Sequence, residues 1–237
     1  MDRSIMGPCS LLRFASEDVR SNMYILLDGT QALVVDPHPA PGAFELLRKA
    51  GITNCTILLT HEHPDHISGV HGFQQAFRTE LICHEACAQA IASPSNNHPA
   101  IVVAMLAIQD SRNGTNTAEH FRQNYEEHIY HADVIFKERM EWTWGQQHFS
   151  FIHTPGHTAG SSCIIWNDAA VFTGDSLLPD APAITRLPGG STKLYRTVTL
   201  PFLKKLPKDI LVLPGHGAEF HMIEVYQGAV HVEFSEV

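Results

Sequence analysis

The chain has 237 residues, a length that can bury one sizeable core, and we expect a single domain over residues 1–237. Its composition, with 44% hydrophobic and 17% charged residues, is that of a soluble globular protein. The formal net charge of −9, with no basic stretch to offset it, argues against nucleic acid as a partner.

The cysteines and the N-terminus predict the compartment. The five cysteines are irregularly spaced and form no CxxC pair, which favours a reduced, cytoplasmic protein. Residues Met1–Pro8 lack the apolar segment of a signal peptide. No apolar run approaches the roughly 20 residues that a membrane-spanning helix needs, so no membrane partner is expected.

The first half of the chain is predicted to alternate between strands and helices. Asp28-Gly29 is a strong hairpin signal between the first two strands. A helix is expected to follow Pro41 and to end at Gly51. The predicted strands of this half lie at 22–27, 31–36, 55–60 and 80–84.

Residues 93–131 depart from this alternation, and we interpret them as a helical insertion. Ile101–Ile108 is apolar and free of helix breakers, which predicts a helix, and Asn116 with Glu119 indicates a capping box for a second one. Two positions are open: outside the core, or over the site as a lid. The apolar helix could then contact substrate or a second copy in a homodimer.

The second half again consists mainly of strands. A long loop at 176–192 and a helix at 192–205 precede the last strand. Both halves end in candidate ligands, which suggests an internal pseudo-duplication. The predicted strands lie at 131–136, 139–144, 148–153, 161–166, 169–173 and 210–213.

The most informative motif is HEHPDH at residues 61–66, directly after an apolar run typical of a buried strand. Imidazole suits zinc, iron, copper and nickel, and carboxylate suits harder cations, so the mixture indicates a transition-metal site. Its four candidate ligands exceed what one open catalytic zinc needs from one segment, which favours two metals. Since the chain has 16 histidines, a chance cluster is the alternative. The candidate ligands are His61, His63, Asp65 and His66.

Three later apolar runs also end in a candidate ligand, namely His157, Asp175 and His216. Each ligand directly follows a glycine, which permits a sharp turn and a close approach of the backbone. Strand ends on one sheet edge can converge in space, so we expect these side chains to join the first cluster.

In this order the motifs resemble those of the metallo-β-lactamase-fold hydrolase superfamily. Asp36, which closes an early strand, matches the family's first motif, although Pro37 follows where the family usually continues toward glycine. The resemblance runs from Asn22 to His216. It implies an α+β fold, a four-layer αββα sandwich in which two mixed sheets pack face to face with helices outside.

The resemblance also implies a ligand set for two Zn²⁺ ions, with iron or manganese as alternatives. It makes Asp65, His66 and Asp175 catalytic, and it gives Asp36 the role of orienting a ligating histidine. Thr60, Thr154 and Thr158 either form hydrogen bonds to the site or terminate strands, and strand termination is the favoured interpretation. The first metal would be held by His61, His63 and His157, the second by Asp65, His66 and His216, with Asp175 bridging both.

Within the superfamily the chain looks most like the glyoxalase II-like branch, because of Thr185–Gly190, a following helix and Leu206-Pro207. Only a short tail follows His216, so the C-terminal helical domain that helps glyoxalase II bind glutathione is expected to be absent. Glutathione as the carrier is therefore in doubt. There is also no room for the inserted domain of the RNA-processing branch.

The expected function is a dinuclear zinc hydrolase whose metal-bound hydroxide attacks a thioester or related activated ester. The alternatives are a lactone or β-lactam hydrolase, a mononuclear iron persulfide dioxygenase, and a metal-stabilised sensor or effector without activity. The expected partner is a small-molecule substrate. Arg186, Lys193 and Tyr195 follow Asp175 on a loop and helix start and are candidate substrate contacts.

Overall fold

The computed structural model describes residues 9–94 and 98–232. The N-terminal stretch Met1–Pro8, and 95–97 within the expected insertion, therefore lie outside the described residues. The helices are α1 Pro41–Lys49, α2 Pro64–Ile67, α3 Val70–Ala76, α4 Glu85–Ile91, α5 Ala100–Asn113, α6 Thr117–Asn124, α7 Thr192–Leu194, α8 Leu200–Leu203 and α9 Met222–Tyr226, with a π-helical turn Tyr195–Thr199 between α7 and α8.

The strands form two mixed sheets of six, in the orders β1-β2-β3-β4-β5-β6 and β12-β11-β10-β9-β8-β7. In the first sheet β3 to β6 run parallel, and in the second β10 and β11 do. The strands are β1 Ser10–Ala15, β2 Asn22–Asp28, β3 Gln31–Val35, β4 Asn54–Leu58, β5 Arg78–His84, β6 Val134–Phe136, β7 Arg139–Trp144, β8 Gln147–His153, β9 Ser162–Trp166, β10 Ala170–Gly174, β11 Leu211–Pro214 and β12 Phe220–His221.

Alternation along β2 explains how one strand serves two cores. Tyr24 and Leu26 face the second sheet and join a buried cluster between the sheets, whereas Met23 and Ile25 face the helices on the outside. Successive side chains of a strand point to opposite faces, so a strand covered on both sides has a continuous apolar sequence.

Helices cover both outer faces. Leu47 of α1 and Phe73 of α3 pack on the first sheet, and Leu203 of α8 packs with Val212 on the second. Full burial of such a side chain contributes about 1.5–3 kcal/mol. The expected αββα sandwich is confirmed. Among the described residues no helix is both long and apolar enough to cross a bilayer.

The structure adds elements that the sequence did not predict: β1 at the start, and β12 with α9 after His216. The predicted helix at 192–205 is interrupted by a π-helical turn that ends at Thr199, two residues before Pro201. Proline has no backbone N–H and its ring clashes with the carbonyl four residues earlier, so a regular α-helix cannot continue through it.

The segment between α4 and β6 contains a helical hairpin of α5 and α6, in line with the expected insertion. The predicted capping box is wrong in its residues, because Asn116 makes no side-chain cap and Glu119 binds Arg122 instead. Asp110 of α5 caps α6, since its carboxylate accepts the backbone N–H groups of Thr117 and Ala118 at 3.0 and 2.8 Å.

Candidate metal centre

The candidate ligands gather where strands of both sheets end at one edge. The parallel strands β10 and β11 finish side by side, with Gly174 opposite Pro214, so the ligands that follow them are neighbours. Main-chain hydrogen bonds tie the two sheets together here, from Asn22 N–H to Gly215 O at 2.7 Å and from Ser162 N–H to Thr60 O at 2.8 Å.

A first group of three histidines forms a compact nitrogen cluster. One ring nitrogen from each of His61, His63 and His157 lies within 4.8 Å of the others. His63 Nδ1 and His157 Nε2 are 2.9 Å apart. Burial and the neighbouring imidazoles lower the pKa of His61 and bring that of His63 to about 3, so both rings are uncharged and keep a lone pair for a cation.

Hydrogen bonds fix which nitrogen of these rings is available. His157 Nδ1 donates to the carbonyl oxygen of Ile184 at 2.7 Å, which leaves its Nε2 without a proton. His61 Nδ1 lies 3.0 Å from Thr60 Oγ1, and that hydroxyl donates to Asp36 Oδ2 at 2.6 Å. The hydroxyl proton is therefore already in use, so His61 donates from Nδ1 and its Nε2 faces the centre as an acceptor.

A second group combines two histidines with a carboxylate. Asp65 Oδ2 lies 3.3 Å from His216 Nε2 and 3.4 Å from His66 Nε2. His66 Nδ1 donates to Asp36 Oδ2 at 3.1 Å, so Asp36 supports one histidine in each group. Burial opposes ionisation of Asp65, but the charges of His66 and His216 hold its pKa below the ordinary value.

Asp175 lies between the two groups. Its carboxylate oxygens are 3.5 Å from His157 Nε2 in the first group, and 3.5 and 3.6 Å from His66 Nε2 and His216 Nε2 in the second. Seven candidate ligands are thus brought together, with one carboxylate in reach of both sides.

Several buried atoms at this centre lack a hydrogen-bond partner in the described structure: His61 Nε2, His66 Nε2 and Asp175 Oδ1. A buried polar atom left unpaired costs about 1–3 kcal/mol, so such a cluster calls for a ligand. Five imidazoles and two carboxylates are the donor set that divalent zinc or iron accepts. The residues therefore fit a divalent metal.

Small residues make room for this arrangement. Gly174 has φ +48°, a conformation that glycine adopts without strain, and it places the following aspartate at the centre. A Cβ on Gly215 would collide with the carboxylate of Asp175 and lie 2.9 Å from His66 Cε1. These two glycines are needed for close approach, as the sequence indicated.

Comparison with known proteins decides the family. Residues 17–216 match the model of the metallo-beta-lactamase superfamily. The chain belongs to this superfamily. It is 27% identical to a probable metallo-hydrolase of Bacillus subtilis over 203 residues, which cover 85% of this chain and 87% of the relative.

Two further proteins show similarity of different extent. A hydroxyacylglutathione hydrolase of Tolumonas auensis is 28% identical over 196 residues, covering 82% of this chain and 60% of that enzyme. The crystal structure of the BLEG-1 B3 metallo-beta-lactamase superimposes with a TM-score of 0.71 at 26% identity, covering 92% of this chain and 97% of that one.

Two threonines at this centre form hydrogen bonds to the site, the less favoured of the two interpretations of the sequence. Thr60 links His61 to Asp36. Thr158 donates to Glu62 Oε2 at 2.9 Å, and Glu62 also accepts from Gly160 N–H at 3.4 Å. Burial raises the pKa of the Glu62 carboxyl. Successive side chains of an extended segment point in opposite directions, so the sequence could have shown that Glu62 points away from His61 and His63. It points toward the loop after His157.

A cavity of about 630 Å³ adjoins the centre and is lined by His63, Asp65, His157, Asp175 and His216. Its wall includes side chains of α5, so this helix borders the site. The cavity has the size of typical small-molecule sites.

The expected substrate contacts are placed differently. Arg186 and Lys193 are exposed, and neither lines the cavity. Tyr195 is only 1% exposed, and its hydroxyl donates to the carbonyl oxygen of Ser176 at 2.9 Å. The expectation for Tyr195 is therefore corrected, because its ring packs in the core beneath α8 and its polar atom is already paired.

Proposed function

We propose that this protein is a dinuclear zinc-dependent hydrolase of a thioester or related activated ester. The observation that carries the proposal is the pair of three-residue ligand groups joined by Asp175, which contacts histidines of both at 3.5–3.6 Å. A structural metal site needs one closed set of four ligands, whereas this centre borders a cavity of substrate size.

The residues of the two groups would divide the work of holding the metals. When bound at such a centre, divalent metals act as Lewis acids and lower the pKa of water from about 15.7 toward 7. Asp36 and Thr60 hold Nδ1 of His66 and Nδ1 of His61 in hydrogen bonds, so Nε2 of each ring would be the nitrogen that binds a metal. One metal would be held by His61, His63 and His157, the other by Asp65, His66 and His216, and Asp175 would contact both.

The cavity lining favours a substrate whose leaving group needs no strong general acid. Among the lining residues of the described chain there is no Lys, Arg or Tyr. Apart from the candidate ligands, the ionisable side chains there are Glu62 and His98. Glu62 is engaged by Thr158 and Gly160, and His98 accepts from Ala100 N–H with Nδ1 and has its Nε2 3.7 Å from the carboxylate of Glu127. A thiolate departs readily without protonation and an amine does not, so thioesters suit this site better than amides.

Comparison with relatives supports the reaction class and leaves the carrier open. One relative is named for a glutathione thioester, and the chain covers 60% of that enzyme. Glutathione itself is not proposed, because the two cationic residues among the candidate substrate contacts, Arg186 and Lys193, do not line the cavity. Lactone hydrolysis would use the same centre and is the second candidate. Opening of the ring breaks the acyl C–O bond, and the alkoxide that departs stays attached to the product and is a better leaving group than the nitrogen of an amide.

The remaining features of the proposal come from the sequence. We propose a small-molecule substrate, no nucleic-acid or membrane partner, and a cytoplasmic location, in keeping with five buried cysteines outside disulfides. A homodimer stays a prediction.

A substrate panel tests the proposal. Purified protein, with its metal content measured, is assayed on thioester, lactone, cephalosporin and phosphodiester substrates. We expect thioesters to be cleaved fastest and two zinc ions per chain. We expect Asp65→Ala to lose more than about 100-fold in kcat/KM, because even residues that only support metal ligands cost 10–100-fold.

Asp209→Ala is the control and should retain full activity, because Asp209 is exposed and does not line the cavity. Full turnover by Asp65→Ala would overturn the two-metal reaction. A single iron per chain together with oxygen consumption on a persulfide would establish the dioxygenase alternative instead.

A further inference from the structure

The first nine residues of α5 carry no charge, and its charged residues, Asp110 and Arg112, both lie in its last turns. Four apolar side chains of the uncharged part line the cavity that adjoins the metal centre. They are Ile101, Val102, Met105 and Leu106.

Two of these side chains are not accounted for by the core. Leu106 is buried against Ala118 and Phe121, which holds the helical hairpin together. Ile101 and Met105 are separated by four residues and therefore share a face of the helix. Both are partly exposed and line the cavity, so this face presents apolar surface to whatever enters the site.

Further apolar side chains come from the loop that follows Asp175. Ile184 and Leu187 line the cavity, and Ile184 is 41% exposed, a large fraction for an isoleucine. The carbonyl oxygen of Ile184 accepts a hydrogen bond from His157 at 2.7 Å. This loop is thus fixed to a candidate ligand, which places its apolar side chains beside the centre.

We propose that the cavity binds an aliphatic acyl chain of the substrate, and that the face of α5 formed by Ile101 and Met105 determines acyl specificity. The inference rests on the proposed ester or thioester hydrolysis and adds the class of acyl group. An anionic acyl group would lose its hydration here without gaining a Lys or Arg partner, because neither residue type is among the described lining residues.

The proposal makes a quantitative prediction about chain length. Each methylene removed from water contributes about 0.8 kcal/mol, which corresponds to about a fourfold gain. We therefore expect kcat/KM to rise about fourfold per methylene from the acetyl substrate until the cavity is filled, and then to level off.

The test uses straight-chain acyl thioesters from two to ten carbons with one common thiol, assayed on wild type and on two matched variants. Ile101→Thr makes the cavity wall polar while keeping a β-branched side chain in the helix. Ile108→Thr makes the same change on the same helix at a position that is 55% exposed and does not line the cavity.

We expect Ile101→Thr to lower kcat/KM for the longest substrate by about 10-fold, within the 10–200-fold range known for apolar pocket contacts. Its activity on the acetyl substrate should stay within about twofold of wild type, and Ile108→Thr should match wild type throughout. A wild type that does not distinguish two from ten carbons, or equal effects of both variants on the long substrates, would overturn the proposal.

Binding of 2-alkanones, neutral carbonyl compounds with no leaving group, separates this inference from the proposed function. Isothermal titration should give a dissociation constant that falls with chain length in wild type and less steeply in Ile101→Thr. If no substrate is cleaved but this trend holds, the proposed function fails and the acyl site stands. If thioesters are cleaved without any dependence on chain length in either assay, the acyl site fails and the proposed function stands.

Discussion

Replacing Asp36 by asparagine should weaken metal binding at both sites without removing a metal ligand. In the native protein the Asp36 carboxylate accepts three hydrogen bonds: from Thr60 N–H at 2.7 Å, from Thr60 Oγ1 at 2.6 Å and from His66 Nδ1 at 3.1 Å. An asparagine side chain has one acceptor oxygen, and its NH₂ group can only donate. With the oxygen on Thr60 N–H, the NH₂ group faces the hydroxyl and His66.

Replacing an acceptor oxygen by a donor NH₂ group changes the protonation of both histidines. His66 Nδ1 must then accept, so its proton moves to Nε2, the nitrogen directed at the metal centre. The Thr60 hydroxyl, now an acceptor from the amide, donates toward His61 Nδ1 and drives that ring to the same wrong tautomer. Loss of a residue that orients a metal ligand costs about 10–100-fold in affinity, or about 1.4–2.8 kcal/mol, at each site.

The assay is a competition titration of Zn²⁺ against a chromophoric chelator, with the bound metal counted by mass spectrometry. Asp168→Asn is the matched control, since Asp168 has φ 55° against 51° for Asp36, and lies in an exposed turn at the opposite end of β10. Thr60→Val should weaken only the first site, because it leaves the bond between Asp36 and His66. Unchanged Zn²⁺ affinity in Asp36→Asn would refute the hydrogen-bond reasoning.

Three more substitutions test other parts of the account. Gly215→Ala should lower kcat/KM by at least about 10-fold, because a Cβ at this position displaces the carboxylate of Asp175. Gly42→Ala is the control and should be fully active, because a Cβ there meets open space. Equal kcat/KM for the two variants would contradict this prediction. Tyr195→Phe should lower the free energy of unfolding in urea by about 1 kcal/mol, because the Tyr195 hydroxyl donates a hydrogen bond to the carbonyl oxygen of Ser176. Its kcat/KM should stay within twofold of wild type. A loss of activity without a loss of stability would instead support Tyr195 as a substrate contact. Burial and the stacked imidazole of His153 lower the pKa of His84 from 6.5 to about 4. Between these two pH values the unfolded chain is protonated at His84 and the folded chain is not, so the free energy of unfolding falls as the pH drops from 6.5 to 4. His84→Asn, which can still cap α4, should show a smaller fall in its urea midpoint over this range, and a fall identical to that of wild type would contradict the assignment.

The sequence was informative about the centre because ligand chemistry and strand ends coincide in it. His157, Asp175 and His216 each follow an apolar run and a glycine, and parallel strands that end together bring such residues to one edge. The fold followed from the same motifs. That these side chains bind metal stays a prediction, and the structure brings them together as that prediction requires.

Other features depend on contacts that no local pattern encodes. Tyr195 lies on a segment rich in polar and cationic residues, yet its ring is buried. Asn116 and Glu119 have the spacing of a capping box, but the carboxylate of Asp110 caps α6 instead. Asp110 lies close to the start of α6 because the chain reverses at Gly114, which has φ 68°. Tertiary proximity outweighs a local propensity worth about 1 kcal/mol.

Anomalous diffraction from crystals grown with Zn²⁺ tests the central claim most directly. We expect two peaks per chain, one among His61, His63 and His157 and one beside Asp65 and His216, at full occupancy and absent after chelation. A single peak, peaks remote from these side chains, or a well-ordered protein that excludes zinc at saturating concentration would contradict a dinuclear centre.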